Sequence, residues 1–293
     1  MNEIMEILPP AVRGELEGLG AEVWHGLEEI RMRRGHRGQL VYVDHTRALV
    51  CCIGEKELEH ALQVASRSSI HRVLPQLRQG FITVQGGHRL GVCGTVCTRE
   101  GEIHAIEPVF SLNLRLAAAV PGIGRGVIAD LCPGGNFIST LILAPPGAGK
   151  TTLLRDVIRC LSDGLGCRGH RVGLVDERGE VAALWRGRPQ LDVGEHTDVM
   201  ADCPKAQGLI MLLRGMNPQV LAADEITAEE DVRAMELASG CGVQLLCTAH
   251  GGNRKDLDRR PLYRELLGAG MFRRLLTIRI EGGRRRYEVE ELR

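Results

Sequence analysis

The chain has few aromatic residues, no excess of charge of either sign and no long hydrophobic run. Phe, Trp and Tyr make up 3% of its 293 residues, and 37 basic residues are balanced by 37 acidic ones. Proteins that bind nucleic acids rely on clustered positive charge and often on aromatic side chains that stack on bases. The composition therefore disfavours direct nucleic-acid binding, while a local basic patch stays open as an alternative.

The ten cysteines form no C-x-x-C pair and no Cys/His spacing typical of zinc sites. Free thiols in a reducing compartment are therefore the expectation. The N-terminal segment MNEIMEILPP is acidic and lacks the apolar core of a signal peptide. Prolines and glycines interrupt the longest uncharged run, residues 131–149, unlike a bilayer span of about 20 apolar residues. We expect a cytoplasmic protein without a membrane span of its own, peripheral to membranes only through partners.

The stretch LILAPPGAGKTTLLR, residues 141–155, has the order of apolar strand, glycine-rich loop and helix. Small residues let backbone N–H groups approach phosphate oxygens, and the helix N-terminus adds partial positive charge. In such a loop Lys150 is expected to bind the β- and γ-phosphates, and the Thr151 hydroxyl to bind Mg²⁺. The predicted nucleotide-binding residues are Ala144, Pro145, Pro146, Gly147, Ala148, Gly149, Lys150, Thr151 and Thr152.

This loop departs from the pattern G-x-x-x-x-G-K-[ST] at its first position, where Ala144 replaces glycine. An alanine fits there if its φ is negative, because the close approach to phosphate is made at Gly147 and Gly149. We therefore predict that Ala144 does not impair the loop.

Acidic residues follow two strands predicted downstream of the loop. Asp176, Glu177 and Arg178 follow RVGLV, and Asp224 and Glu225 follow QVLAA. Ligands of α/β sheets bind at the carboxyl ends of the strands, where these side chains are expected to lie. Asp224 is predicted to hold Mg²⁺ through water, and Glu177 and Glu225 are candidates to orient or deprotonate the attacking water. For Glu177, a salt-bridged or capping acid at a strand end is the alternative.

Three further residues have two interpretations each. His250 ends a predicted strand, where it would either sense the γ-phosphate or serve as a structural histidine. Arg89 and Arg115 are either surface arginines or residues that reach a nucleotide phosphate on the same or a neighbouring subunit. Arg178 is a third candidate arginine to act between subunits.

The order of elements predicts an α/β protein with a mostly parallel, doubly wound sheet, preceded by a smaller α+β domain. We predict an N-terminal domain over residues 1–118, a linker over 119–126 and a P-loop domain over 127–293. Residues 185–204 are predicted to be irregular, and residues 256–267 to form one helix. Together with the motifs, this predicts a Mg²⁺-dependent ATPase. Guanine specificity is disfavoured because the sequence has no N-K-x-D motif.

Several strings together resemble the stage III sporulation protein AA family, which is similar to the type II and type IV secretion ATPases. They are GFITVQGGHRLGVCG, PPGAGKTTLLRDVIRCLS, VDERGEVA, PQLDVGEHTDVM, CPKAQGLIMLLRGMNPQV and DEI. The resemblance implies a RecA-like ATPase domain, ATP and Mg²⁺ as cofactors, and a homo-oligomer that is a hexameric ring. It also implies a mother-cell ATPase that assembles or powers the mother cell–forespore channel and binds the membrane proteins of that channel.

Two residues differ from the family pattern. Thr227 replaces the glycine of DEIG, and Gly179 replaces the serine of VDERSEIA. Thr227 would change the turn after Asp224 and Glu225 if that position required a positive φ, which threonine tolerates poorly.

Two alternative functions remain at this point. One is an ATP-gated scaffold that docks on membrane partners and turns over little, and the other is a RecA-like nucleic-acid motor. The sequence retains every predicted acid, which disfavours the scaffold, and its composition disfavours the motor.

Overall fold

The structure is a computed structural model that describes residues 2–66, 70–78, 80–99, 101–117 and 120–292. It divides into two compact units: Met1–Ala118 with Leu184–Gln190, and Ala119–Ala183 with Leu191–Arg293. Ala118 and Ala119, where the sequence predicts the first domain boundary, lie outside the described residues.

Within its described residues, the first unit combines four α-helices with six strands. In chain order these are α1 (Asn2–Ile7), α2 (Pro10–Leu19), β1 (Leu27–Arg33), β2 (Arg37–Tyr42), β3 (Thr46–Cys52), α3 (Glu55–Ser66), α4 (Ile70–Leu77), β4 (Phe81–Thr83), β5 (Arg89–Arg99) and β6 (Glu102–Arg115).

The strands of the first unit form one antiparallel sheet in the order β3-β2-β1-β6-β5-β4. Strand β1 shows how the sheet separates a buried side from an exposed one, because Leu27, Ile30 and Met32 are buried while Glu28 is exposed. The buried side chains pack against apolar residues of the helices, such as Ile7 and Leu58, in one core. This unit is the smaller α+β part that the sequence predicts.

Most strands of the second unit are followed by a helix, which is the usual connection between parallel strands. Its elements are α5 (Ile128–Leu131), β7 (Thr140–Ala144), α6 (Lys150–Asp163), β8 (Val172–Asp176), β9 (Thr197–Ala201), α7 (Lys205–Gly215), β10 (Val220–Ala223), α8 (Glu229–Gly240), β11 (Gln244–His250), α9 (Arg254–Asp258), α10 (Pro261–Gly268), β12 (Arg274–Glu281) and β13 (Arg284–Glu291).

These strands form a seven-stranded sheet in the order β13-β12-β7-β11-β10-β8-β9, in which only β13 is antiparallel to its neighbour. Because β7, β8, β10 and β11 run in the same direction, their carboxyl ends lie at one edge of the sheet. The glycine-rich loop and the predicted acids therefore all follow strands at that edge.

Strand β7 contributes to a hydrophobic core on each face of the sheet. Ile142 and Ala144 pack with residues of α6, whereas Leu141 and Leu143 pack with residues of α7, α8 and α10. This two-residue alternation is expected of a strand buried on both faces, and it fixes the register of the loop that follows.

The structure differs from the sequence prediction in two places within this unit. Residues Thr197–Ala201, predicted to be irregular, form the edge strand β9 beside β8. The single helix predicted over residues 256–267 is two helices, because Pro261 begins the second one and cannot continue the first. Among the described residues, no helix is both long and apolar enough to cross a membrane.

Candidate functional site

The loop between β7 and α6 has the conformation that its glycines predict. Gly147 and Gly149 have φ of 76° and 95°, a region that other residues rarely adopt. Ala144 is the buried last residue of β7, and its φ is not positive. The backbone therefore accepts alanine at the first position of the motif, since the left-handed conformations occur later in the loop.

Lys150, the first residue of α6, is 7% exposed. Its Nζ lies 2.8 Å from His250 Nδ1 and 3.4 Å from the Ala144 carbonyl oxygen. Burial lowers the pKa of Lys150, and the nearby carboxylates of Asp224 and Glu225 oppose that shift. Contact with an anion would therefore compensate for the desolvation of the Lys150 ammonium group.

The partners of His250 determine its tautomer. An ammonium group can only donate, so Nδ1 must accept the hydrogen bond from Lys150. Nε2 then carries the ring proton and donates to Glu225 Oε1 at 3.0 Å. His250 thus connects the Lys150 ammonium to the Glu225 carboxylate.

Hydroxyl groups connect the helix to the acids that follow β10. Thr151 Oγ1 donates to Asp224 Oδ2 at 2.7 Å, and Thr248 Oγ1 donates to Asp224 Oδ1 at 2.6 Å. The Asp224 carboxylate is therefore fixed next to the Thr151 hydroxyl, so the two predicted Mg²⁺ ligands are in direct contact. Thr152, on the same turn of α6, lines a small cleft with Val120 and Arg155.

Glu225 has both a restricted backbone and a restricted side chain. Its φ is 46°, which is unusual for a residue other than glycine, and its N–H donates to Thr248 Oγ1 at 2.8 Å. Oε1 accepts from His250, and Oε2 accepts from Arg178 Nη1 at 2.8 Å. Strained backbone held by its surroundings is typical of functional sites.

Asp176, the first acid after β8, organises the loop that follows. Its two carboxylate oxygens accept four backbone N–H groups at 2.8–3.1 Å, from Glu180, Val181, Ala182 and Ala183. Arg155 of α6 donates to the carbonyl oxygens of the same loop. Asp176 thus caps the backbone of this loop, whereas Glu177, for which a salt-bridged or capping acid was the alternative, forms an ion pair with Lys205.

Glu177 lies on the open side of this loop, with its side chain 39% exposed. Its Oε2 is 3.4 Å from Nζ of Lys205, and it lines one cleft together with Asp224 and Glu225. The structure thus brings both candidate glutamates to the same cleft.

Lys205 is a central residue of this cleft that the sequence analysis missed. It is 4% exposed, and its Nζ contacts the Glu225 carbonyl oxygen at 2.5 Å and Asp231 Oδ2 at 3.5 Å as well as Glu177. A signal was present, because Lys205 occupies the buried face of α7 with Gly208, Leu209 and Leu212 at helical spacing. A lysine in an apolar stripe requires buried carboxylates or carbonyls around it.

The three candidate arginines have partners within their own units. Arg178 pairs with Glu225, as described above. Arg89 stacks on the Phe81 ring, with Cζ 4.3 Å from the centroid, and Arg115 Nε lies 3.5 Å from Glu29 Oε1. Their role between subunits stays a prediction.

The two departures from the family pattern fit the backbone. Gly179 has a φ of 62°, which favours glycine over serine. The positive φ after β10 belongs to Glu225, whereas Thr227 has none. A strained turn was expected at Thr227 if that position required a positive φ, but the Thr227 N–H donates to Asp231 Oδ2 at 3.2 Å, at the start of α8.

A family model described as "Sporulation stage III, protein AA" matches residues 1–288. The protein named "Stage III sporulation protein AA" of Bacillus subtilis (strain 168) is 36% identical over 286 residues, which cover 95% of this chain and 91% of that protein.

Solved structures with a similar fold include the pilus retraction motor PilT with bound ADP. It has a TM-score of 0.67 and 16% identity, and the match covers 99% of this chain and 83% of PilT. The Legionella pneumophila ATPase DotB has a TM-score of 0.57 and 14% identity, and the match covers 90% of this chain and 76% of DotB. At such identities the likeness shows the fold, and it confirms the predicted fold class.

Proposed function

We propose that this chain, which belongs to the sporulation stage III, protein AA family, is a Mg²⁺-dependent ATPase of the secretion and pilus motor kind. In this proposal it forms a ring in the mother-cell cytoplasm. It assembles or powers the channel between mother cell and forespore, and it docks on membrane proteins of that channel. PilT and DotB, named as a motor and an ATPase, share its fold and support this choice.

One observation carries the proposal. At the edge of the sheet that follows β7, the buried Lys150 is connected to Glu225 through His250, and the Thr151 hydroxyl contacts Asp224, all at 2.7–3.0 Å. Lys150, Thr151, Asp224 and Glu225 are the groups that hold and hydrolyse a nucleoside triphosphate in P-loop enzymes.

The residues fit ATP and Mg²⁺. Gly147 and Gly149 carry no side chain, and their positive φ lets the loop turn so that its backbone N–H groups can face phosphate oxygens. Among the described residues, no group of three or more His, Cys, Asp or Glu could hold a metal by itself. Thr151 and Asp224 alone offer two oxygen ligands, and Mg²⁺ in such enzymes takes its others from water and phosphate.

Each residue would have a distinct part in hydrolysis. Lys150 has three N–H donors, two of which contact His250 and Ala144, so a third can reach a phosphate oxygen. A bound Mg²⁺ would neutralise charge that develops on the phosphates. His250 would respond to the phosphate that Lys150 binds and pass that response to Glu225.

Glu177 is the stronger candidate for activating water. Both carboxylate oxygens of Glu225 already accept hydrogen bonds, from His250 and Arg178. Glu177 contacts Lys205 through one oxygen at 3.4 Å and is exposed to the cleft. We therefore assign activation of the attacking water to Glu177. To Glu225 we assign the role of coupling Lys150 with Arg178.

The experiment compares the wild type with Glu177→Gln and Glu225→Gln, measuring both ATP affinity and turnover. Glutamine keeps the shape of the side chain and removes its charge, so both variants are expected to bind ATP within a few-fold of the wild type. Turnover is expected to fall by about 100-fold or more in Glu177→Gln. Wild-type turnover in both variants would show that the acids have no catalytic role.

A further inference from the structure

The C-terminal hairpin extends past the end of the strand that carries the phosphate loop. Strand β12 pairs with β7 in parallel as far as Thr277 and Leu143. It then continues to Glu281, and after a turn β13 returns from Arg284. Because the two paired strands run in the same direction, the tip of this hairpin lies at the edge of the sheet where the phosphate loop begins.

Arg285 of this hairpin contacts the phosphate loop directly. Its Nε–H donates to the Ala148 carbonyl oxygen at 2.8 Å. A Cβ at position 149 would lie 3.1 Å from the same Nε and 3.6 Å from Cζ. Position 149 therefore favours glycine for two reasons. Its φ is 95°, and a side chain there would crowd the Arg285 guanidinium.

This contact determines which way one amide of the loop points. The Ala148 carbonyl and the Gly149 N–H belong to a single trans peptide unit, in which they point in opposite directions. A carbonyl held toward Arg285 fixes the Gly149 N–H on the side away from the hairpin. In the described part of the chain, no backbone carbonyl accepts a hydrogen bond from that N–H, which precedes the first residue of α6.

We infer that Arg285 is a positioning residue of the nucleotide site: by holding the Ala148 carbonyl outward, it orients the Gly149 N–H as a donor to phosphate. The inference rests on the proposed function, since it concerns the same site. The positive guanidinium also polarises the peptide unit that it binds and so strengthens the opposite N–H as a donor. The C-terminal hairpin thereby helps to hold the phosphate loop in its conformation.

The neighbouring arginine supplies a matched control. Side chains alternate along a strand, so Arg284 and Arg285 lie on opposite faces of the hairpin. Arg284→Ala removes the same charge one residue away without removing the contact to Ala148. A difference between the two variants therefore separates the hydrogen bond from the general electrostatic field.

The test measures ADP affinity by calorimetry for the wild type, Arg284→Ala, Arg285→Ala and Arg285→Lys, with hydrogen exchange of the segment 144–152 in the nucleotide-free proteins. We expect Arg285→Ala to bind ADP about tenfold more weakly, the size of one charge-assisted hydrogen bond, and to exchange faster in that segment. Arg284→Ala should match the wild type. Arg285→Lys, which keeps a donor and the charge, should recover part of the affinity.

The outcomes separate this inference from the proposed function. If the wild type binds ADP and Arg285→Ala binds it equally well, or if both alanine variants weaken binding equally, the positioning role is overturned and the ATPase proposal stands. If the wild type does not bind ADP, the proposed function is overturned together with the inference. If Arg285→Ala fails to fold, Arg285→Gln takes its place, and wild-type ADP affinity in that variant would refute the need for a cationic donor.

Discussion

At the scale of single residues, the site depends on buried charge that is compensated locally. Lys205 is the clearest case, because its ammonium contacts two carboxylates and a carbonyl oxygen while it is almost inaccessible to water. Its partners come from three chain segments, after β8, after β10 and in α8. A single buried cation thus holds together the loops that carry both candidate glutamates.

We predict that Lys205→Met lowers the free energy of unfolding by about 3 kcal/mol, because it leaves Asp231 and the Glu225 carbonyl without their buried partner. Urea denaturation measures the change. Lys255→Met, at an exposed lysine of α9, is the matched control and should change stability by less than about 0.5 kcal/mol. The double variant Lys205→Met/Asp231→Asn should lose less than the sum of the single losses. Equal stability of Lys205→Met and the control would refute this account of the residue.

At the scale of elements, helix α6 is held in place by the segment around Gly122 and Gly124, which precedes α5. Its Asp156 accepts N–H groups of Gly122 and Gly124 at 2.9 and 2.6 Å. Gly124 approaches so closely that a Cβ there would lie 2.9 Å from backbone atoms of Asp156 and Val157. The segment predicted as a linker therefore packs directly on the helix that follows the phosphate loop.

Gly124→Ala is expected to destabilise the protein by about 1–3 kcal/mol, since the backbone of α6 would have to move to admit the methyl group. A Cβ at Gly126 would meet no atom within 4 Å, and its φ is not positive, so Gly126→Ala serves as the control. That variant should be neutral or slightly stabilising. Thermal unfolding of both proteins is the measurement, and an unchanged midpoint for Gly124→Ala would show that the close packing is not needed.

Much of the second unit could be predicted because its strands are continuous apolar runs that end in polar residues. Strand β9 could not, since TDVMA lies at the edge of the sheet, and its side chains are exposed or only partly buried. The roles of Asp176 and Lys205 were not predicted either, although the helical spacing of α7 places Lys205 on its buried face. Their partners are backbone groups or residues far along the chain, which no local pattern brings together.

At the scale of the whole molecule, the proposed chemistry belongs to the second unit, and the first unit has its own sheet and core. Arg89 and Arg115 are residues of the first unit. Their predicted role in completing a neighbouring site requires assembly of several chains.

We predict that a non-hydrolysable ATP analogue with Mg²⁺ shifts the protein from smaller species to a hexamer. Light scattering coupled to size-exclusion chromatography measures the mass with and without the analogue. Lys150→Ala, which should bind the analogue at least about tenfold more weakly, is the control. It should keep the mass of the nucleotide-free protein at an analogue concentration that saturates only the wild type. A mass that does not change in the wild type would remove the support for a nucleotide-driven ring.

The most direct test of the central claim is an equilibrium titration of the purified protein with ATP and Mg²⁺, run in parallel on Lys150→Ala. The arrangement of Lys150, Thr151 and Asp224 predicts saturable binding by the wild type with one nucleotide per chain. It also predicts at least about tenfold weaker binding when the ammonium is removed. Absence of binding by the wild type, or equal affinity of the two proteins, would contradict the assignment of this edge of the sheet as a nucleotide site.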